Sequence, residues 1–282
     1  MSKLLITGTS GLIGKALAEN TKEENEVVCL SRQETTVEGV TAIQGDFTDP
    51  KVLRKLDKFD ADVVVHLAAV TGGCSEEDGL RVNVGGTHGL LRYWIDRGCT
   101  KFVLASSIAA VGFQSIKFRP LRLPMPDDHP CLDRDGYGLS KYLMEEVTKY
   151  LWRQNEGVDF IDIRLASIAP DENPPTPRKV GPVGPWALGS IAIMYLSDAV
   201  RCFRMAAEAP HRSGVRIMNA VGAQACVADT VPELLRGWWG TDVDGMDLSH
   251  YERAGHERDP VYDISRIERE IGFVPLRSML GE

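Results

Sequence analysis

Short apolar runs alternate with longer stretches of helical periodicity along the first 165 residues. The strand-like runs are Lys3–Thr7, Val27–Ser31, Thr41–Gln44, Val63–Leu67, Phe102–Ser106 and Phe160–Leu165. Several are apolar throughout, as strands covered on both faces require. Between them, helical spacing predicts helices at Leu12–Asn20, Pro50–Leu56, Glu76–Asp96 and Tyr137–Gln154. This alternation predicts an α/β fold, a Rossmann-like doubly wound parallel sheet with right-handed crossovers.

The rhythm breaks after Arg164. Residues 169–186, APDENPPTPRKVGPVGPW, are rich in Pro and Gly and read as a loop or lid. A helix at Ser197–Ala209 follows. A strand near Arg216–Ala220 and a helix near Ile264–Ile271 are expected to complete a small C-terminal lobe.

Composition narrows the function classes. Hydrophobic residues make up 43% of the 282, an ordinary globular share that argues against wholesale disorder. The net charge is −8 and no dense Lys/Arg run exists, so a nucleic-acid partner is not expected. No apolar run reaches the roughly 20 residues of a membrane span. Strand character begins almost at the first residue, which leaves no room for a signal peptide. Cys29, Cys74, Cys99, Cys131, Cys202 and Cys226 form no C-x-x-C pair and have no zinc spacing. Free thiols, no metal and a cytoplasmic location are the expectation.

The first strand runs into a glycine turn. Gly8, Gly11 and Gly14 follow Lys3–Thr7 in G-x-x-G-x-x-G spacing and open a helix. The first glycine permits the tight turn, the second lets backbone approach a pyrophosphate, and the third lets helix and strand pack closely. The helix N-terminus then offers N–H groups and a positive dipole end to phosphate. Ser10, Leu12 and Ile13 in the same turn complete this set of cofactor contacts. The second strand ends in Ser31-Arg32, where an acidic residue would bind a ribose 2′-OH. A hydroxyl followed by a guanidinium suits a 2′-phosphate, so NADP is favoured and NAD remains open. After the third strand, Asp46 and Phe47 suit the adenine edge. Residues 1–168 are thus expected to form a dinucleotide-binding domain, with segments around 190–220 returning to it. Residues 169–282 are expected to form mainly a small substrate lobe.

Tyr137 and Lys141 stand at i and i+4, one face of a predicted helix. An ammonium beside a phenol lowers its pKa from about 10 toward neutrality and makes a general acid/base. Ser107, at the end of the fifth strand, can hold a substrate oxygen near Tyr137.

With these motifs in order, the chain resembles the extended short-chain dehydrogenase/reductase superfamily, in its NAD-dependent epimerase/dehydratase-like group. The resemblance rests on TGTSGLIG (7–14), GDFTDP (45–50), HLAAV (66–70), NVGGT (83–87), SSIAAVG (106–112), YGLSK (137–141), RLASIAP (164–170) and, more weakly, DISRIEREIGFVP (263–275). It implies that Ser107, Tyr137 and Lys141 are catalytic, that Tyr137 and Lys141 also contact the cofactor, and that Lys141 binds its nicotinamide ribose. It further implies that Leu67, Ala68 and Ala69 line the cofactor groove, that Asn83 supports the strands beside it, and that Ala166 to Ile168 lie beside the nicotinamide. For Asn83 a helix cap is an equal alternative; His66 reads as a packed strand-end residue. Thr71, Ser107 and Arg178 are the substrate-contact candidates, Arg178 toward a carboxylate or phosphate.

Two departures bear on the substrate. The aromatic residue usual in the family's V-Y-G segment is Val111 here, and Arg164-Leu165 is followed by ASIAP. A dehydratase or decarboxylase needs a carboxylate just after the catalytic Ser/Thr, where this chain has Ile108 and Ala109. The path from Pro170 to Ser197-Asp198 is short for a lobe that wraps a nucleotide. The expected activity is an NAD(P)-dependent oxidoreductase acting on a small polar sugar, sugar acid or polyol, loosely similar to uronate dehydrogenase-like enzymes. A nucleotide-sugar epimerase is the alternative, and a non-catalytic cofactor-binding regulator is the reading from another class. The family resemblance also implies a homodimer built on the helices near 76–96 and 137–154. Trp94, Tyr150 and Trp152 are its candidate anchors, with burial in the core as the equal alternative for them; Trp238 and Trp239 are expected in C-terminal core or a pocket wall.

Overall fold

Parallel pairing joins seven strands into one sheet in the order β3-β2-β1-β4-β5-β6-β9. The computed structural model describes residues 1–279, so the last three residues of the expected 169–282 lobe lie outside the described residues. The elements run β1 (Lys3–Thr7), α1 (Leu12–Thr21), β2 (Glu26–Ser31), β3 (Thr41–Gln44), α2 (Pro50–Leu53), β4 (Val63–His66), α3 (Glu76–Asp78), α4 (Thr87–Ile95) and β5 (Lys101–Ser107). They continue with α5 (Gly136–Gln154), β6 (Asp159–Leu165), β7 (Ser167–Ala169), β8 (Ile193–Tyr195), α6 (Leu196–Glu208), β9 (Gly214–Ala220), α7 (Val231–Trp239) and α8 (Ser265–Ile271).

The sheet is covered on both faces, which explains its apolar strands. Leu4 and Ile6 point into one core with Val65, Val103, Ile161 and Phe203, while Leu5 points into a second with Val64, Phe102, Trp94 and Leu151. The chain leaves β1 outward through β2 and β3, then crosses back to β4 on β1's other side. That reversal opens a crevice at the carboxyl ends of β1 and β4, where doubly wound sheets bind ligands.

Two helical expectations are corrected. The 76–96 segment is helical, but not a single α-helix: α3 gives way to a π-helical stretch at Gly79–Gly86 before α4. Gly86 lets this wide stretch press on Phe47 and Thr48, since a Cβ there would stand 2.5 Å from Thr48 Cγ2. The helix after the third strand is α only over Pro50–Leu53 and finishes as a 3-10 turn at Arg54–Leu56. The strand expected near Arg216–Ala220, within the segments around 190–220, is β9, which pairs with β6 over its full length as an edge strand of the central sheet.

The short parallel pair β7-β8 and helix α7 are additional to the expected elements. A capping box between Thr230 and Glu233 starts α7, and Trp238 and Trp239 are buried in its packing. Residues 170–186 contain no helix or strand.

Candidate active site

Glycine is required by geometry at the first turn. Gly8 has φ +78°, and a Cβ there would stand 2.8 Å from Ala68 N. A Cβ on Gly14 would stand 2.4 Å from Gly8 O. The turn therefore folds tightly against both β4 and the first turn of α1. Helix α1 begins at Gly11 with no side-chain cap and no acidic residue in its first turn. Its end is left polar and positive, as an anion cradle needs.

Beside this turn lies a groove of about 220 Å³. Gly8, Ser10, Gly11, Ser31, Arg32, Asp46 and Phe47 line it on the α1 and β2 side, together with Leu30 and Gly45. Leu67, Ala68, Ala69, Thr71 and Val82 line the other side. Leu12, Ile13 and Gly14 do not line it: Leu12 is exposed, Ile13 packs toward the core, and Gly14 serves the turn. Ser31 Oγ donates to Gln33 O (2.6 Å). Arg32 is exposed on the groove, and among the described residues no carboxylate pairs with it. Asp46 Oδ1 accepts from Thr48 N (2.9 Å) and Thr48 Oγ1 (2.8 Å), which fixes the carboxylate at the rim. Phe47 is buried edge-on against His66, with centroids 4.9 Å apart. The cradle suits a dinucleotide: narrow backbone at the turn, apolar walls, and a free guanidinium at one end.

His66 belongs to the scaffold of this groove. Thr7 Oγ1 accepts from Leu67 N and Ala68 N (3.2 Å each), so its own proton goes to His66 Nδ1 (2.8 Å). The ring then donates from Nε2 to Thr87 Oγ1 (2.9 Å). Burial, with Lys141 nearby, lowers its pKa from 6.5 to about 3. Between those two values the unfolded chain binds the proton that the native ring refuses, so stability falls as pH drops through that window and is unaffected above it. Urea unfolding across the window should show this loss, and an NMR titration should find the His66 ring silent where exposed histidines respond.

Asn83 is not a helix cap. It lies inside the π-helical stretch, where its amide clamps both backbone groups of Val70 (2.9 Å each) and donates to Ser140 Oγ (2.9 Å). The loop after β4 is thereby tied to the helix that carries Tyr137 and Lys141.

Asp135 sets where that helix begins. Its Oδ1 accepts from Tyr137 N and Gly138 N (3.0 Å each), which puts Tyr137 in the first turn of α5. Lys141 follows one turn later, with Nζ 5.8 Å from the Tyr137 ring centroid and donating to Ala105 O (2.6 Å). Ser107 ends β5, where its Oγ accepts from Ala109 N (3.1 Å). The structure thus brings Ser107, Tyr137 and Lys141 together.

The expected electrostatics of the trio require correction. Burial pushes the Tyr137 phenol up to about 12, against the smaller opposing effect of its hydrogen bond with Ser107. Burial also lowers Lys141 to about 8, opposed by Glu145 and Asp162. The phenol is therefore a protonated acid at neutral pH, and the ammonium does not bring it to neutrality. Desolvation is the largest influence on each of the two groups.

Beneath Lys141 lies a buried ion pair missing from the expected set. Glu145 accepts from Arg164 Nε (2.8 Å) and Nη2 (2.7 Å) and from Ser106 Oγ (2.7 Å). The signal was available: Glu145 is four residues beyond Lys141 on the same helical face.

The other candidates are more dispersed. Ala166 is buried and donates its N–H to Ala220 O (3.1 Å), and Ile168 lies in β7; neither lines the groove. Arg178 is held by its backbone to Cys226 and Ala228, near Gly184, and its guanidinium pairs with no carboxylate among the described residues. Trp94 is buried in the core of its own chain, and Trp152 donates to Ser213 Oγ (3.2 Å), so of the three aromatic anchors Tyr150 alone is exposed.

Comparisons with known proteins give the family and the fold. The model of the NAD dependent epimerase/dehydratase family matches residues 4–183. D-erythronate dehydrogenase of Cupriavidus necator is 31% identical over 161 residues, covering 50% of this chain and 48% of that protein. UDP-glucose 4-epimerase of Halalkalibacterium halodurans is 27% identical over 177 residues, covering 59% and 51%. The alignments thus span about half the length of these relatives. Among solved structures, a short-chain dehydrogenase/reductase superfamily protein from Agrobacterium tumefaciens with bound NAD superposes with a TM-score of 0.73 at 18% identity, covering 98% of this chain and 93% of that one. At that identity the likeness carries the fold.

Proposed function

The chain belongs to the NAD dependent epimerase/dehydratase family, and from that premise we propose that it is an NADP-dependent oxidoreductase of a small polar sugar, sugar acid or polyol. The observation that carries the reading is the convergence of Ser107, Tyr137 and Lys141 beside a groove fitted to a dinucleotide. The name of the Cupriavidus necator relative, a sugar-acid dehydrogenase, supports the substrate class.

Gly8, Ser10 and Gly11 hold the pyrophosphate at the start of α1, Asp46 meets the adenine edge, and Leu67 to Ala69 line the remaining wall. On this reading the nicotinamide would extend past the groove's lining toward Ala166 and Ile168. When bound, the nicotinamide exchanges a hydride with the carbinol carbon of the substrate. Ser107 holds the substrate oxygen, Thr71 contacts the same molecule, and Arg178 faces a carboxylate on it. Tyr137 donates its proton to that oxygen during ketone reduction and takes one back during oxidation. Its high pKa suits the donor role at neutral pH. Lys141, protonated below about 8, steadies the phenolate left behind and binds the nicotinamide ribose. Ile108 and Ala109, both buried, offer no group for a dehydratase step.

NADP is favoured because Arg32 is free on the groove and β2 ends without a carboxylate. Arg32→Ala should weaken NADPH roughly ten- to hundredfold, the size of a charged hydrogen bond, with little effect on NADH. Fluorescence titrations check this, and equal losses would remove the 2′-phosphate role. The reading also places the protein in a reducing cytoplasm, which its six free cysteines support, and in a homodimer with Tyr150 at the interface. Among the described residues no helix is long and apolar enough to cross a membrane.

The function itself is tested by incubating the purified chain with NADP+ and a panel of sugar acids, polyols and UDP-sugars. Net NADPH formation with a small substrate supports the reading. Interconversion of UDP-sugars without net NADPH change would establish the epimerase alternative instead.

A further inference from the structure

One residue outside the catalytic trio has a backbone that nothing local favours. Trp186 sits at φ 68°, ψ 2°, and Ala187 follows at φ 28°. These are the only positive-φ residues other than glycine among the described residues. Side chains with a Cβ avoid this region, so the surrounding packing must impose it. The pair closes the Pro/Gly-rich loop and starts the 3-10 turn Ala187–Ser190.

The strained backbone delivers the indole to a defined place. A Cβ on Gly72 would stand 2.6 Å from Trp186 Cη2 and 3.2 Å from Cζ3. The ring edge is therefore docked directly on glycine backbone in the loop after β4. Gly72 adjoins Thr71, which lines the groove. The indole also lies against Phe113, with centroids 6.2 Å apart and planes at 32°. Phe113 is buried, and it closes the segment that begins at Ser107. Trp186 itself is 44% exposed, with one face on these two loops and the other toward solvent.

We propose that Trp186 is a specificity-determining gate: docked on Gly72 and Phe113, its indole closes the mouth between the β4 and Pro-rich loops, admits a short polyhydroxy acid or single sugar, and excludes a nucleoside diphosphate sugar. This inference rests on the reading of the Ser107–Tyr137–Lys141 site as the place of carbinol chemistry. The loop that carries Thr71 and the segment that follows Ser107 are the two walls the indole spans, so any substrate reaching Ser107 past Thr71 passes its edge. A hydrophobic wall of this kind discriminates by size, and removal of a whole indole is a large change in that wall.

The test compares wild type, Trp186→Ala and Gly72→Ala as full chains with NADP+, using sugar acids and UDP-glucose as probes. The ratio of kcat/KM for the best small substrate to that for UDP-glucose should fall by about tenfold or more in Trp186→Ala, mainly through a higher kcat/KM for UDP-glucose as the mouth opens, while the NADP+ Kd stays unchanged. An unchanged ratio overturns the gate.

A second measurement does not need turnover. Trp94, Trp238 and Trp239 are buried and the half-buried Trp152 is common to both proteins, so the acrylamide-quenchable fluorescence lost between wild type and Trp186→Phe reports this indole. In Gly72→Ala the new methyl should push the ring away and raise its quenching; no change overturns the docked contact. If wild type turns over no substrate in the panel, the proposed function falls, and the quenching result still decides whether the indole is docked.

Discussion

Tyr137→Phe should lower kcat by about 10²–10⁴-fold, the usual worth of a positioned general acid or base. The substitution removes one oxygen from a half-buried ring whose backbone is held by Asp135, so the start of α5 should be undisturbed. NADPH affinity should change little, because the phenol is not among the residues lining the groove. Steady-state kinetics with a parallel cofactor titration separates the two quantities. Full activity in the variant would revive the non-catalytic regulator, and a collapse of cofactor binding would assign Tyr137 a structural part instead.

Glu145→Ala is expected to cost about 3–5 kcal/mol of unfolding free energy, the usual penalty for leaving one partner of a buried ion pair alone. Glu145 is 1% exposed and Arg164 is 4% exposed, and two hydrogen bonds join them. Truncation strands the guanidinium with only the Asp127 carbonyl (2.9 Å) as a remaining close oxygen partner. It also removes a carboxylate that favours the charged form of Lys141, so any surviving activity should show its alkaline transition at lower pH. Replacing both partners with apolar residues of similar size should recover most of the stability, since the uncompensated charge goes with them. Urea unfolding of the three proteins checks this, and a single-variant loss below about 1 kcal/mol, the level of an exposed pair, would contradict it.

Much of this architecture is local in origin and therefore legible along the chain. Strands such as Val27–Ser31 and Val63–Leu67 are mostly apolar because both faces of the sheet are covered, and the observed strands begin and end within a residue or so of the expected ones. The turn at Gly8, Gly11 and Gly14 is legible because left-handed backbone and close approach require glycine whatever surrounds it. Tyr137 and Lys141 share a face by helical period alone.

Other features depend on partners far away in sequence, and no local pattern encodes them. Which strand Gly214–Ala220 would pair with is not written in its own residues; it joins β6 at the edge of the sheet. Asn83 looks like a helix cap until Val70 and Ser140 are seen beside it. The phenol's acidity reverses direction because burial, a property of the whole fold, exceeds the effect of its hydrogen bond with Ser107. Trp186 is one aromatic in a proline-rich loop until packing forces its backbone left-handed onto Gly72. Periodicity and steric rules act over a few residues, so the sequence alone determined the strands, the glycine turn and the shared helical face of Tyr137 and Lys141. Desolvation and packing arise only when distant segments meet, so the tertiary structure decided the burial of that pair, the buried ion pair beneath it and the docking of Trp186 on Gly72.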